Sequence, residues 1–153
     1  MNILATQYSL ETRSLEIYLA GCRGPHCPGC HNPASWDFDL GYPYDSSGAF
    51  LVIKNKVAAN SALIENIMVM GGEPLDQDPE SLLKFSKLLN TLGKRLWLFT
   101  REPLSNVPPQ LLPLYDRIKC GRYDPAQLSS HHVQYGVKLA SDNQRVYAHG
   151  VDY

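Results

Sequence analysis

"SLEIYLAGCRGPHCPGCHNPASW", residues 14–36, carries the reading of this chain. Its opening alternates Leu15, Ile17 and Leu19 with Glu16 and Tyr18, the period of a strand with one buried face. Three cysteines follow at once, Cys22, Cys27 and Cys30, in the pattern C-x4-C-x2-C. Pro25, Pro28 and Pro33, with Gly24 and Gly29, exclude a regular helix or sheet across this stretch. The thiols therefore belong to a loop at the C-terminal end of a strand.

Outward from that loop, the chain alternates strands and helices. After the turn-rich "GYPYDSSG", a helix is expected from about Ser47 to Ala59, with Phe50, Leu51, Ile53 and Val57 on one side. "NIMVM" (Asn66 to Met70) is a short apolar run ended by two glycines, as suits a strand buried on both faces of a parallel sheet. A second helix is capped by Asp78, takes Pro79 in its first position and is stopped by Gly93. Its apolar stripe runs through Leu82, Leu83, Phe85, Leu88, Leu89 and Leu92. Strands follow at "RLWLFT", "YDRIKCG" and "NQRVYAH", while "PPQLLPLY" supports at most a short helical turn. The expected fold is α/β, with a mainly parallel sheet and helices outside it. A closed eight-unit barrel takes about 250 residues, so 153 residues allow a partial (β/α) barrel or an open curved sheet, read as a single domain over residues 1–153. In either form ligands gather at the C-terminal strand ends, where both the cysteine loop and "GGEP" fall.

Composition narrows the class. The net charge of −1 offers no basic excess for a nucleic-acid partner. No apolar run approaches the roughly 20 residues of a membrane span. "MNILATQYSLETRS" lacks a basic region followed by an apolar one, so no secretory signal is expected. The default compartment is the cytoplasm, where clustered cysteines are metal ligands or catalysts more often than disulfides.

Thiolates are soft ligands suited to zinc, copper(I) or iron–sulfur clusters. A structural zinc site needs four protein ligands, and His26 or His31 could complete a Cys3His set. An iron–sulfur cube held by three cysteines would leave one iron free. Cys120, distant in sequence, reads as a small buried apolar residue. "VMGGEPL" (Val69 to Leu75) adds two glycines that let a ligand approach the backbone, and the anionic Glu73. Backbone carbonyls and a carboxylate suit a cationic amine; the alternative is a tight turn with a surface glutamate.

A three-cysteine loop after the first core strand, then GGEP after the next, resembles the radical S-adenosylmethionine enzymes. More narrowly, "CPGCHNPASW", "IKCGRYDP" and "LASDNQRV" resemble the activating proteins of anaerobic (class III) ribonucleoside-triphosphate reductase, over about Thr12 to Val146. Two departures stand out. The family's first cysteine gap is three residues, and here "RGPH" makes it four. A Gly-Pro-Gly turn usually precedes the first core strand, where this chain has Ser9, Leu10 and Glu11 before Thr12-Arg13.

The resemblance implies that Cys22, Cys27 and Cys30 hold a [4Fe–4S] cluster whose fourth iron is chelated by S-adenosyl-L-methionine. Gly71, Gly72 and Glu73 would line the methionine end, and Gly29, Cys30 and His31 the adenosyl part. A flavodoxin-type donor would reduce the cluster. Cleavage to a 5′-deoxyadenosyl radical would then take a hydrogen from one glycine Cα of the partner reductase. Thr100 is read as a ribose contact or a turn residue, and Lys119 as a contact to the cofactor carboxylate or a solvated lysine. Trp36 is read as a core residue or a cover over the cluster. Asn143, Gln144 and Arg145 belong to a matching block whose role, capping or cofactor contact, stays open. The rivals are an activase of another glycyl-radical enzyme, a small radical enzyme acting on a metabolite, and a zinc-stapled binding module without catalysis.

Overall fold

Strands β1 (Asn2–Ser9) and β2 (Ser14–Ala20) form an antiparallel hairpin in the computed structural model, which describes residues 1–46 and 48–153. β2 is the strand expected before the cysteine loop. β1 has no sequence signature, because only Ile3 of its eight residues is fully buried, so no alternation marks it. Ser9, Leu10 and Glu11 lie in and beside this hairpin turn, at the end of β2 opposite the cysteines. The departure from the Gly-Pro-Gly turn therefore falls at the far end of the strand. A short β3 (Tyr42–Pro43) pairs with β1.

Helix α1 (Ala49–Ala59) buries Ala49, Ile53 and Val57. The stripe thus has a spacing of four, and Leu51, expected inside, is 56% exposed. The expected start at Ser47 lies outside the described residues. Strand β4 (Asn66–Gly71) is buried through Val69, as its apolar run requires. Helix α2 (Pro79–Asn90) begins where expected: the Asp78 carboxylate accepts the Ser81 N–H at 2.8 Å, and Pro79 occupies its first turn. Leu82, Phe85 and Leu89 are buried, while Leu88 is 38% exposed. Ser86, polar and absent from the expected stripe, is also buried, because its hydroxyl meets the Tyr115 hydroxyl at 2.6 Å and the Leu82 carbonyl at 2.7 Å.

Strands β5 (Arg95–Phe99), β6 (Arg117–Cys120) and the β7–β8 hairpin (Val133–Gln134, Val137–Lys138) follow, and β9 (Arg145–Ala148) ends the sheet. The main sheet runs β3-β1-β2-β4-β5-β6-β9. Its centre, β2-β4-β5-β6, is parallel, and both flanks are antiparallel. The sheet is therefore open, with a parallel centre as expected and antiparallel strands added at both flanks, and it does not close into a barrel. The cause is local. A four-residue turn between β1 and β2 can only reverse the chain, since a parallel pair needs a crossover of a dozen or more residues.

Strand alternation assigns the two faces. Leu15, Ile17, Leu19, Ile67, Val69, Leu96, Leu98 and Ile118 join α1 and α2 in the main core. Met68, Trp97, Val137, Leu139 and Val146 form a smaller cluster on the other face. Cys120 is buried in the main core, as expected of an apolar thiol. Its thiol is pushed up to about 12, chiefly by desolvation. Among the described residues, no helix is long and apolar enough to cross a membrane.

Candidate functional site

Four parallel strands deliver four loops to one end of the sheet. Gly21 and Cys22 follow β2, Gly71–Glu73 end and follow β4, Thr100 and Arg101 follow β5, and Gly121 follows β6. All of these but Gly21 line a cleft of about 270 Å³. Cys22, Cys27, Cys30, His31, Glu73 and Lys119 all face it, so the residues expected to hold the cluster and its ligand converge, save Gly29. Gly29 is exposed at the loop tip with φ +65° and nothing within 4 Å of where a Cβ would stand.

The two motifs touch through their backbones. Gly72 N–H donates to Leu19 O and Glu73 N–H to Gly21 O, both at 2.8 Å. A Cβ on Gly72 would lie 2.0 Å from Gly21 O, and one on Gly71 (φ +93°) would lie 2.5 Å from the Leu19 nitrogen. These glycines are thus required by the chain's own backbone. Neither a ligand's approach nor a simple tight turn accounts for this close contact between the two loops. Gln77 ties the same seam, its amide donating to Ala20 O and Gly21 O.

Glu73 is 2% exposed, so it is not the surface glutamate of the alternative reading. Its Oε1 accepts Thr100 Oγ1 at 2.6 Å and the Leu75 N–H at 3.0 Å; Oε2 accepts the Arg101 N–H at 2.8 Å. Burial nevertheless holds its pKa above the ordinary value. The sign follows from proton counting. Above the unfolded value near 4.5, the folded state keeps this proton longer. Stability from this group is full below that value and is lost as pH rises through the folded one. Glu73→Gln resembles the protonated form, so its stability relative to the parent should increase as pH rises through this window. Thermal denaturation of both proteins from pH 4 to 8 reads this; parallel curves would refute it.

Thr100 is buried, and its hydroxyl also accepts the Glu102 N–H at 3.0 Å. It therefore serves its own turn while lining the cleft. Lys119 donates to Gly121 O at 2.9 Å, and desolvation pushes its ammonium down to about 8; it is not a freely solvated lysine. Trp36 is not a core residue. It is half-buried, lines the cleft and stacks on His26 at 3.7 Å between ring centroids. His26 in turn contacts Cys22 O at 2.9 Å, so the last residue of "RGPH" folds back on the loop. Gln144 is buried, with Oε1 accepting the Ala140 and Ser141 N–H groups. Asn143 donates to Arg122 O, and Arg145 pairs with Asp152 on the surface. This block thus braces the fold, and of the three residues only Gln144 lines the cleft.

Arg101 went unread in the sequence, where "FTREP" carries no motif. Its guanidinium donates to Cys22 Sγ at 2.9 Å and forms an ion pair with Asp76 at 3.0 Å. Burial pushes the Cys22 thiol up, against the Gly24 backbone hydrogen bond and the Arg101 charge.

Residues 12–147 match the family described as 4Fe-4S single cluster domain. The chain belongs to that family. It is 26% identical over 139 residues to the anaerobic ribonucleoside-triphosphate reductase-activating protein of Pasteurella multocida strain Pm70, covering 86% of this chain and 84% of the relative. The proteins of that name from Escherichia coli strain K12 and Haemophilus influenzae Rd are 25% identical over 107 residues and 26% identical over 113. Those matches cover 67% of this chain and 67% of the relative, and 70% and 72%, respectively.

For a 4Fe-4S single cluster domain, the donor set fits the cluster. All three loop cysteines are free and half-buried on one cleft. Among the described residues no three His, Cys, Asp or Glu side chains are grouped to hold a single ion. A tetrahedral zinc site with Zn–S near 2.3 Å draws its sulfurs to about 4 Å of one another. A cube assigns each thiolate to a different iron and needs no such convergence. Of the two histidines, His26 is committed to a stack and a hydrogen bond, while His31 lies on the same cleft as the cysteines.

Proposed function

We propose that this chain, residues 1–153 acting as one domain, is a radical S-adenosylmethionine enzyme. It generates a glycyl radical on an anaerobic ribonucleotide reductase and takes its electron from a flavodoxin-type donor. The single observation that carries this reading is the backbone seam joining the three-cysteine loop to GGEP on one cleft. Cys22, Cys27 and Cys30 hold the [4Fe–4S] cluster. When bound, the cluster supplies the electron for reductive cleavage of S-adenosylmethionine. Gly71 and Gly72 present backbone to the methionine end. Glu73, held by three donors, fixes the loop that does so. Lys119 adds a cation to the floor, where a carboxylate would be stabilised. The relatives' names support the partner assignment.

The test is anaerobic reconstitution followed by mixing with S-adenosylmethionine, a reductant and candidate glycyl-radical enzymes. A glycyl EPR doublet on the anaerobic reductase is the expected result. A doublet appearing only on another glycyl-radical enzyme would move the partner and keep the chemistry. Zinc at one per chain without iron would overturn both.

A further inference from the structure

We infer that Arg101 is a positioning residue for the cluster, clamping the Cys22 thiolate and raising the cluster's reduction potential. The inference rests on the reading of Cys22 as a ligand. Its geometry is specific. One guanidinium joins three strand-end loops: Nη1 donates to Cys22 Sγ at 2.9 Å, and Nη2 to Gly24 O at 3.3 Å and to the Asp76 carboxylate at 3.0 and 3.1 Å. Nε donates to Glu102 Oε1 at 3.3 Å. The Arg101 backbone N–H is held by Glu73. Asp76 is itself fixed by the Arg23 N–H at 2.7 Å.

The side chains of Arg101 and Asp76 are 12% and 16% exposed, so the pair is shielded from bulk solvent and screened little by salt. The planar fork spends its other donors on Asp76, Gly24 and Glu102, which fixes the direction of the donor aimed at sulfur. A hydrogen bond to ligand sulfur favours the reduced, more negative cluster, and Glu102, like Asp76, offsets the guanidinium's charge. Both carboxylates leave the donor in place. The four-residue gap "RGPH" enters the same arrangement, because Gly24 O is one of the acceptors. The loop between Cys22 and Cys27 is thus anchored to β5 as well as to GGEP.

The test compares the parent, Arg101→Met and Arg101→Lys after anaerobic reconstitution. The readouts are iron content, the midpoint potential by EPR-monitored titration and the melting temperature of each apo-protein. Arg101→Met should lower the reduction equilibrium at least tenfold, which is about 59 mV for one electron. Arg101→Lys, which keeps the charge, should recover part of that shift. Arg101→Met with the parent's potential, or Arg101→Lys shifted as far as Met, would overturn the inference. If Met alone takes up no iron while both apo-proteins melt with the parent, the clamp is supported, since Cys22 is then no longer presented; if Lys loses iron as fully as Met, the inference fails. If instead their apo-proteins melt lower, Arg101 is only a strut and the inference fails. Cys22→Ala separates the two readings: four irons per chain retained in that variant would defeat the assignment of Cys22 itself.

Discussion

Cys27→Ala should give a folded protein that assembles no [4Fe–4S] cluster and cleaves no S-adenosylmethionine. A site-differentiated cube needs three thiolates from the chain, and Cys120 cannot substitute, since it is buried in the main core. Cys27 itself is half-buried in a loop beyond the sheet. Its loss should change apo-protein stability by no more than about 0.5 kcal/mol, as for substitutions away from packed features. Cys120→Ala is the mirror image. It should keep full iron content and lower the melting temperature, because it removes a packed sulfur from the interior. Iron and sulfide analysis beside thermal melts reads both. A Cys27→Ala protein that still holds about four irons would sink the ligand assignment.

Gly72→Ala should damage the fold and the site together. The new Cβ would stand 2.0 Å from Gly21 O and 2.9 Å from Ser35 O, all backbone that no side-chain rotation can relieve. Gly21 O is also the acceptor for Glu73 N–H and the Gln77 amide. Making room for one methyl therefore pulls the GGEP loop from the cysteine loop. Overpacking of this kind costs about 1–3 kcal/mol or more, a fall of roughly 2–12 °C for a chain of this size. Reconstituted iron should also fall, since Gly21 carries Cys22. Melting and iron content equal to the parent's would show that the seam is not what couples the motifs.

Much of this was open to reading from the residues. The alternation of Leu15, Ile17 and Leu19 marked β2, and the Asp78-Pro79 start and Gly93 stop framed α2, because these signals act within one turn or one strand. β1 was hidden, since a strand near the sheet's edge with one buried residue has no pattern to show. Leu51 alone departs from the expected side of α1, because the helix turns Ala49, Ile53 and Val57 inward and packs Phe50 against the core, which leaves Leu51 facing out.

The site divides the same way. Spacing and residue type alone put Cys22, Cys27, Cys30 and Gly71 to Glu73 at strand ends, and parallel strands bring such ends to one edge of the sheet. That much the chain's own order determined. Only the tertiary structure decided that Gly72 is a glycine for the sake of Gly21 O, and that Glu73 is buried under three donors. It alone brought Arg101, seventy-nine residues from Cys22, to aim at the thiol. These are contacts between loops that are distant in sequence. Their partners are chosen by the register of β2, β4 and β5 in the sheet, which no local pattern encodes.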